Sequence, residues 1–442
     1  MKKIIEFLKK NAIGFILGAL ASLCIASVAA SGILSADMAY TNEDHPNITN
    51  VEDALNDLYS RGTSGGGNYS YNFNIMLETE ENSDVYETGT YEQLQAGDYN
   101  FNTSMSYCDD GTNQSSVTLA STFSFQPNKT TCYLYYYAGL SFADYIIELA
   151  STNEHIYHHT SDTTASDYVA NNARDDSYRY AGPNSTVEDN YVCFGYNRAT
   201  AADSNSNSIP DVCESGTFSA TSDYAYRIIG VFKDVDGNSN DAYYVKLIKA
   251  TSYGSYHWDY ESSTSSNRSN IFANSELFKK TLNGSSSSYL ATLNSNGWSN
   301  YLAQPKWYVG GNTWTNIGDK QASGAYAYER TDTNTVNTTY KIGLMYPSDY
   351  GFAISNSYWT TALGSYSSAA ADQDWLKLGS YEWTISRKSD TNYAAYQVTS
   401  GGTVGVTNAV QVSCVVRPVL YLSSSVIATG SGTIESPYIL SM

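Results

Sequence analysis

Twelve residues, Asp203-Ser-Asn-Ser-Asn-Ser-Ile-Pro-Asp-Val-Cys-Glu214, hold the densest run of potential ligands in this chain. Oxygen donors stand at positions 1, 3, 5, 9 and 12 of the run, as Asp203, Asn205, Asn207, Asp211 and Glu214. That spacing lets one short loop fold around a hard cation such as Ca2+. Position 6 is Ser208 where such a loop wants glycine, and two of the five donors are neutral amides, which lowers the ligand charge. Asn and Ser are abundant throughout the chain, so an ordinary polar loop fits the same residues. Asp234, Asp236, Asn238 and Asp241 repeat the theme more weakly, and a hairpin turn explains them better.

Three of the five histidines, His155, His158 and His159, gather in one stretch. On a helix two of them would share a face and offer nitrogen to a transition metal. They follow a predicted helix and precede a Ser/Thr/Asp loop, however, where solvated histidines are expected. Asp175, Asp176, Asp349 and Glu382 are carboxylates available for acid–base work, but no spacing fixes a pair at working distance. P-loop, Cys-x-x-Cys and His-Glu-x-x-His signatures do not occur, and the Gly62-Thr-Ser-Gly-Gly66 match to Gly-x-Ser-x-Gly falls in the Gly/Ser linker. Cys414 lies in an apolar run and reads as an inert core thiol. No catalytic residue is assigned, and the chain is not expected to be an enzyme.

These groups need a scaffold, and 442 residues are enough for two or three domains. Lys and Arg number 24 against 44 Asp and Glu, which leaves 24 − 44 = −20. Such a field repels phosphate backbones, so nucleic acid is not an expected partner. Tyr outnumbers Phe 41 to 13. A tyrosine buries its ring while keeping its hydroxyl wet, which suits strand faces and binding surfaces.

Residues 1–36 read as a signal peptide or an N-terminal membrane anchor. Lys2, Lys3, Lys9 and Lys10 precede 26 uncharged residues, Asn11 to Ala36, long enough to span a bilayer. Val28-Ala29-Ala30 is an acceptable cleavage site, while Leu23 before Cys24 argues against a lipoprotein anchor. The basic flank keeps the amino end inside and puts the rest of the chain outside. Residues 37–68 supply a short helix capped by Asn50, with Val51, Ala54, Leu55, Leu58 and Tyr59 on one face, and then a Gly/Ser linker. A helix this short needs a partner, so it reads as a stalk through which copies of the chain could associate, or as a helix packed on its own domain.

Residues 69–138 alternate apolar and polar positions in several runs and predict a small β-sandwich spacer of at least four strands. Cys108 and Cys132 fall at the ends of an expected hairpin. A bond there would stabilise by roughly 3 kcal/mol in the chain-entropy account. Residues 139–442 form the large unit. It opens with a helix at Ser141–Leu149, continues through long polar loops where Cys193 and Cys213 are expected to pair, and contains a Tyr226–Phe232/Tyr243–Lys249 hairpin. All seven tryptophans, Trp258 to Trp383, lie within it. Trp375 and Trp383 are expected on one strand. Val415–Leu422 is expected as another, edge-like because of Pro418, joining the hairpin's sheet with Trp383 near the junction.

The order Trp383, Arg387, Gly401-Gly402, Val416-Arg417 and Gly432-Thr433…Pro437-Tyr438 resembles the end of formylglycine-generating-enzyme-like domains, a branch of the C-type-lectin-like fold. Ser177-Tyr-Arg-Tyr180, Tyr191-Val-Cys-Phe194, Lys341-Ile-Gly-Leu-Met-Tyr346 and Glu382-Trp-Thr-Ile385 add a similarity to exported surface proteins of Gram-positive gut bacteria. The twelve-residue loop is also similar to aspartate-rich loops of extracellular calcium repeats. The enzymes of the first family need a cysteine pair for copper near the carboxy end. Only Cys414 stands there, so the resemblance implies the fold and not the oxidase activity.

The resulting expectation is an α+β, β-rich chain, a small β-sandwich followed by a C-type-lectin-like domain with long loops. It would be an extracellular, membrane-anchored or secreted adhesin that binds a glycan or protein, with Ca2+ at the 203–214 loop as its one conceivable cofactor. A cell-wall hydrolase and a fibre subunit are the alternatives.

Overall fold

The computed structural model describes residues 72–441, apart from 80–84, 91–92, 94–98, 103–104, 110–113, 117, 120–122, 125–130, 208, 236–241, 260–268, 331–336 and 410. The membrane or signal segment (1–36), the stalk helix with its linker (37–68) and the Asp236-Gly237 turn lie outside the described residues. No helix among the described residues is long and apolar enough to cross a membrane. The chain is α+β and β-rich with mixed sheets. It divides into two compact units, one up to Ser141 and one built from 142–237 and 243–441, and each is described by itself.

The first unit is built on one strand. Thr131–Ala138 alternates buried Cys132, Leu134 and Tyr136 with half-buried Thr131, Tyr133 and Tyr135, the period-two pattern of a strand with one face on a core. It pairs in parallel with Asn72–Glu78 and antiparallel with both Tyr99–Phe101 and Tyr107–Asp109. Cys108 stands directly opposite Cys132 in that register, and the two are disulfide-bonded. Their strands are neighbours in the sheet but not consecutive in the chain. The expected hairpin is therefore replaced by a longer closure, through Gln114–Ser116, Thr118–Leu119 and Phe123–Ser124.

In the second unit the hairpin Ala225–Lys233/Tyr243–Lys249 is the spine of a nine-stranded sheet. Its strands are buried over nearly their whole length, as apolar runs covered on both faces must be. Between Ile228 and Gly230 the register shifts, and the partner on the outer side changes from Tyr191–Cys193 to Tyr178–Tyr180. Glycine is required at 230, because a Cβ there would collide with the carbonyl oxygen of Tyr178. The helix Phe142–Leu149 opens the unit and the strand Tyr438–Ser441 closes it. The two meet where the Phe142 ring packs 4.8 Å from that of Tyr438.

A second, five-stranded sheet runs in the order Gly254–His257, Ser413–Val416, Glu382–Arg387, Ala394–Val398, Val404–Asn408. The expected single strand Val415–Leu422 is here two strands in two sheets. Ser413–Val416 belongs to the five-stranded sheet, and only Val419–Tyr421 joins the central hairpin, opposite Lys246–Ile248. Pro418 has no N–H to continue a ladder, so the chain changes sheets there. Trp383 does sit in the five-stranded sheet beside this crossing, its indole 5.7 Å from Trp258 and its N–H bonded to the Tyr256 carbonyl. Trp375 is not on the same strand. It lies in a turn and donates to the Tyr180 carbonyl across 2.9 Å.

Arg417 marks the crossing. Its guanidinium holds Glu382 with two bonds, 2.7 and 2.9 Å, and donates a third, 2.7 Å, to the Leu376 carbonyl, all buried. Removing one partner of such a pair strands a buried charge, so Arg417→Ala should cost about 3–5 kcal/mol in urea unfolding. Arg417→Met with Glu382→Leu should recover most of that loss. Equal destabilisation by the double variant would show that the pair is not what secures the crossing.

Candidate functional site

Two of the four carboxylates offered by the sequence meet, but across a cation. Arg179 is fully buried, its Nη2 2.6 Å from Asp175, its Nε 2.8 Å from Ser177 Oγ, and its Nη1 3.7 Å from Asp349. Asp349 in turn accepts from Lys246 Nζ at 2.5 Å and from the Tyr346 backbone N–H at 2.8 Å, capping the helix Pro347–Ala353. The rings of Phe232, Tyr346, Tyr421 and Trp307 surround the Lys246 ammonium at 5.0 to 5.8 Å. Burial lowers the Lys246 pKa to about 8 against the pull of Asp349. Burial also pushes Asp175 upward, but Arg179 beside it prevails and holds it well below the usual carboxylate range.

Glu382 is committed to Arg417, as described, and Asp176 lies on the surface 4.0 Å from His158. The four do not form a pair at a cavity; three of them tie buried elements together. Lys246, Arg179 and Glu329 were missed as a group in the sequence. The available signal was a charge inside an otherwise apolar strand, at Lys246 in Tyr-Tyr-Val-Lys-Leu-Ile-Lys and at Arg179 in Ser-Tyr-Arg-Tyr.

The 203–214 loop is closed by its own side chains. Ser204 donates to both carboxylate oxygens of Asp211, through N–H at 2.8 Å and Oγ at 2.6 Å. Asn205 and Asn207 turn their amide Nδ2 groups toward Glu214, at 2.6 and 3.0 Å, and their carbonyl oxygens toward the backbone N–H groups of Asn207 and Ile209. A cation would need those carbonyl oxygens facing Glu214, so both amides would have to turn over. As placed, Asn205 and Asn207 offer Glu214 their N–H groups and not their carbonyl oxygens. Among the described residues, no group of three or more His, Cys, Asp or Glu converges in a way that could hold a metal ion. The Cys193–Cys213 disulfide anchors the far end of the loop to the central sheet.

The histidines part company. His158 bonds Asp167 at 2.8 Å and stacks on Tyr178. His159, expected in solvent, is instead buried between Phe352 and Trp359, and its Nδ1 accepts the Ala173 N–H. Burial, reinforced by Arg179, lowers its pKa well below the ordinary value and keeps the ring neutral. Cys414 is buried in its strand, bonded to Gln397, and burial pushes its thiol up to about 12. That is a core thiol, not a nucleophile.

An open cleft of about 610 Å³ lies elsewhere, lined by Ser269, Asn270, Ile271, Arg387 and the turn Ser389–Tyr393. The turn joins Glu382–Arg387 to Ala394–Val398, and Asn270 fixes its shape. The Asn270 amide donates to the carbonyls of Lys388, Thr391 and Ala394 at 2.8 to 2.9 Å, and its backbone N–H donates to the carbonyl of Asn392 at 3.1 Å. The two N–H groups of one buried side chain are thus shared among three carbonyls at the turn, which backbone bonds from Lys388 to Ala394 and from Ser389 to Asn312 also hold. Exposed Asn392 and Tyr393 rise from this fixed base, Tyr393 with 42% of its surface open.

Compared with protein-family models, with curated proteins and with solved structures, the chain has no match.

Glu329 lies against the buried charge cluster, its carboxylate accepting from the N–H and hydroxyl of Ser348. Burial raises its pKa to about 7 from an ordinary 4.5, with Asp349 adding to the rise and Ser348 opposing it. The folded form then holds a proton that the unfolded chain releases, so this group's stabilisation is complete below about pH 4.5 and is lost as pH rises through about 7. Glu329→Gln, which keeps an acceptor and cannot ionise, should gain melting temperature relative to the parent as pH goes from 5 to 8. A constant difference across that range would contradict a buried, raised carboxyl.

Proposed function

We propose that this chain is an exported cell-surface binding protein of the adhesin kind, and that its second unit has the C-type-lectin-like, formylglycine-generating-enzyme-like form. The first unit serves as a β-sandwich spacer. The 1–36 segment directs export or anchors the chain in the membrane, and the stalk region can bring copies together. The ligand is extracellular, a glycan or a protein carrying one. The observation that carries this reading is the division of labour in the second unit. Three of its four candidate carboxylates are consumed in buried or partly buried ion pairs, while a rigid turn presents hydroxyls, amides and one aromatic ring around an open cleft. Hydroxyl- and amide-rich loops on a fixed scaffold suit recognition of hydroxyl-bearing ligands.

The meeting of the unit's first helix with its last strand supports the lectin-like form, in which the two ends lie together. The two disulfides suit an oxidising exterior. The test is an array of glycans and bacterial or host cell surfaces probed with the full chain. Stable retention on a restricted set of glycans, without their cleavage, is expected. Release of sugar or peptide fragments from cell wall with no retained complex would favour a hydrolase and contradict this reading.

A further inference from the structure

The cleft contains a cation for which no described residue supplies a counter-charge. Arg387 ends the strand Glu382–Arg387, and its stem lies against Gly311, where a Cβ would come within 2.6 Å of Arg387 Cγ. Its Nε is buried and has no hydrogen-bond partner. The nearest acidic group of the lining, Asp390, is held by Lys388 at 2.8 Å. Burial therefore lowers the Arg387 pKa with no carboxylate beside it to offset the cost. In the same cleft Thr391 Oγ1 is likewise buried and, among the described residues, unpartnered.

Among the described residues, the three fully buried arginines of the second unit each have side-chain or carbonyl partners, although Arg179 Nη1 makes no hydrogen bond of its own. Arg179 has Asp175, Arg417 has Glu382, and Arg227 bonds Asn190, Asn184 and the Val187 carbonyl while lying over the Trp375 ring. Folding leaves a buried donor without a partner at a cost, which an acceptor brought into the cleft by a ligand would relieve.

On the reading of this cleft as a binding site, we propose that it takes an acidic sugar, one whose carboxylate is received by the Arg387 guanidinium with Thr391 Oγ1 beside it. The planar fork of a guanidinium matches a carboxylate with two parallel bonds. Ser269, Ser389 and Asn392 line the same cleft and bring hydroxyl and amide groups suited to sugar hydroxyls, and Tyr393 offers an exposed ring for the C–H face of a pyranose. The local charge is consistent with this choice. With Lys388 and Asp390 cancelling, Arg387 leaves the cleft net positive on a chain whose total is −20. Long-range attraction of an anion is weak here, so affinity depends on contacts inside the cleft.

Calorimetric titration of the full-length chain with oligosaccharides ending in a uronate or a sialate, each beside its carboxyl-reduced counterpart, tests this. At least one acidic member should bind, and its reduced counterpart should bind roughly ten- to a hundredfold more weakly, the weight of a charge-assisted pair. Arg387→Gln should abolish the preference for the acid, and Thr391→Val should weaken the acid several-fold. Arg387→Lys, which keeps the charge without the fork, should retain the preference at lower affinity and guards against a folding defect in the Gln variant. Equal binding of acid and reduced forms, or a preference that survives Arg387→Gln, overturns the acidic-sugar assignment while leaving a glycan-binding protein standing. Equal affinity for a sulfated counterpart overturns the carboxylate in favour of any anion. Binding of no oligosaccharide overturns both this inference and the glycan reading beneath it.

Discussion

A carboxylate buried as completely as Asp349 has to be answered from several directions at once, and the second unit is arranged so that it is. Lys246 reaches it from the central hairpin, Arg179 from the outer strand paired to that hairpin, and the Tyr346 N–H from the start of the helix it caps. Arg179 passes the constraint on to Asp175 and Ser177. None of these charges is tolerable alone in a site shielded from water, so the elements that carry them must arrive together or not at all. The aromatic rings around Lys246 and Arg179 shape that site and add cation–π attraction to it.

The same logic operates at the crossing between the two sheets. Pro418 ends one ladder, Val419 begins another, and Arg417 between them is tied to Glu382 and Leu376. Because Glu382 opens the strand that leads to Arg387, the ion pair that secures the crossing also fixes the base of the cleft. Asn270 then fixes the turn on the far side. The strand Glu382–Arg387 is thus held at one end by the Arg417 ion pair, and the turn that follows it is held by Asn270.

Much of this scaffold was legible in the sequence, because apolar periodicity and covalent pairing are local signals. The hairpin Tyr226–Lys249, the helix after Ser141 and both disulfides are where the residue patterns put them. Val415–Leu422 was misread as one strand since Pro418 carries two meanings, an edge position or a change of sheet, and only the partners of Val416 and Val419 tell them apart. His159 looked solvent-bound because its neighbours in sequence are polar, whereas its neighbours in space are Phe352 and Trp359. The spacing of oxygen donors from Asp203 to Glu214 was real, but spacing does not say which end of an asparagine faces inward. The cleft was not legible at all. Asn270 and the Ser389–Tyr393 turn are more than a hundred residues apart, and Arg387 is notable only because its Nε has no partner among the described residues.

Buried charges hold the second unit, and the cleft at Arg387 is the ligand site proposed for it. Hydrogen–deuterium exchange on the full chain, with and without a saturating acidic oligosaccharide, reads both at once. Protection should appear at residues 269–271 and 387–393, while the peptides carrying Asp175, Arg179, Lys246 and Asp349 exchange as slowly without ligand as with it. Ligand-dependent protection confined to the Asp175–Arg179 and Asp349 segments, with 387–393 unchanged, would contradict that separation and place the ligand at the charge cluster.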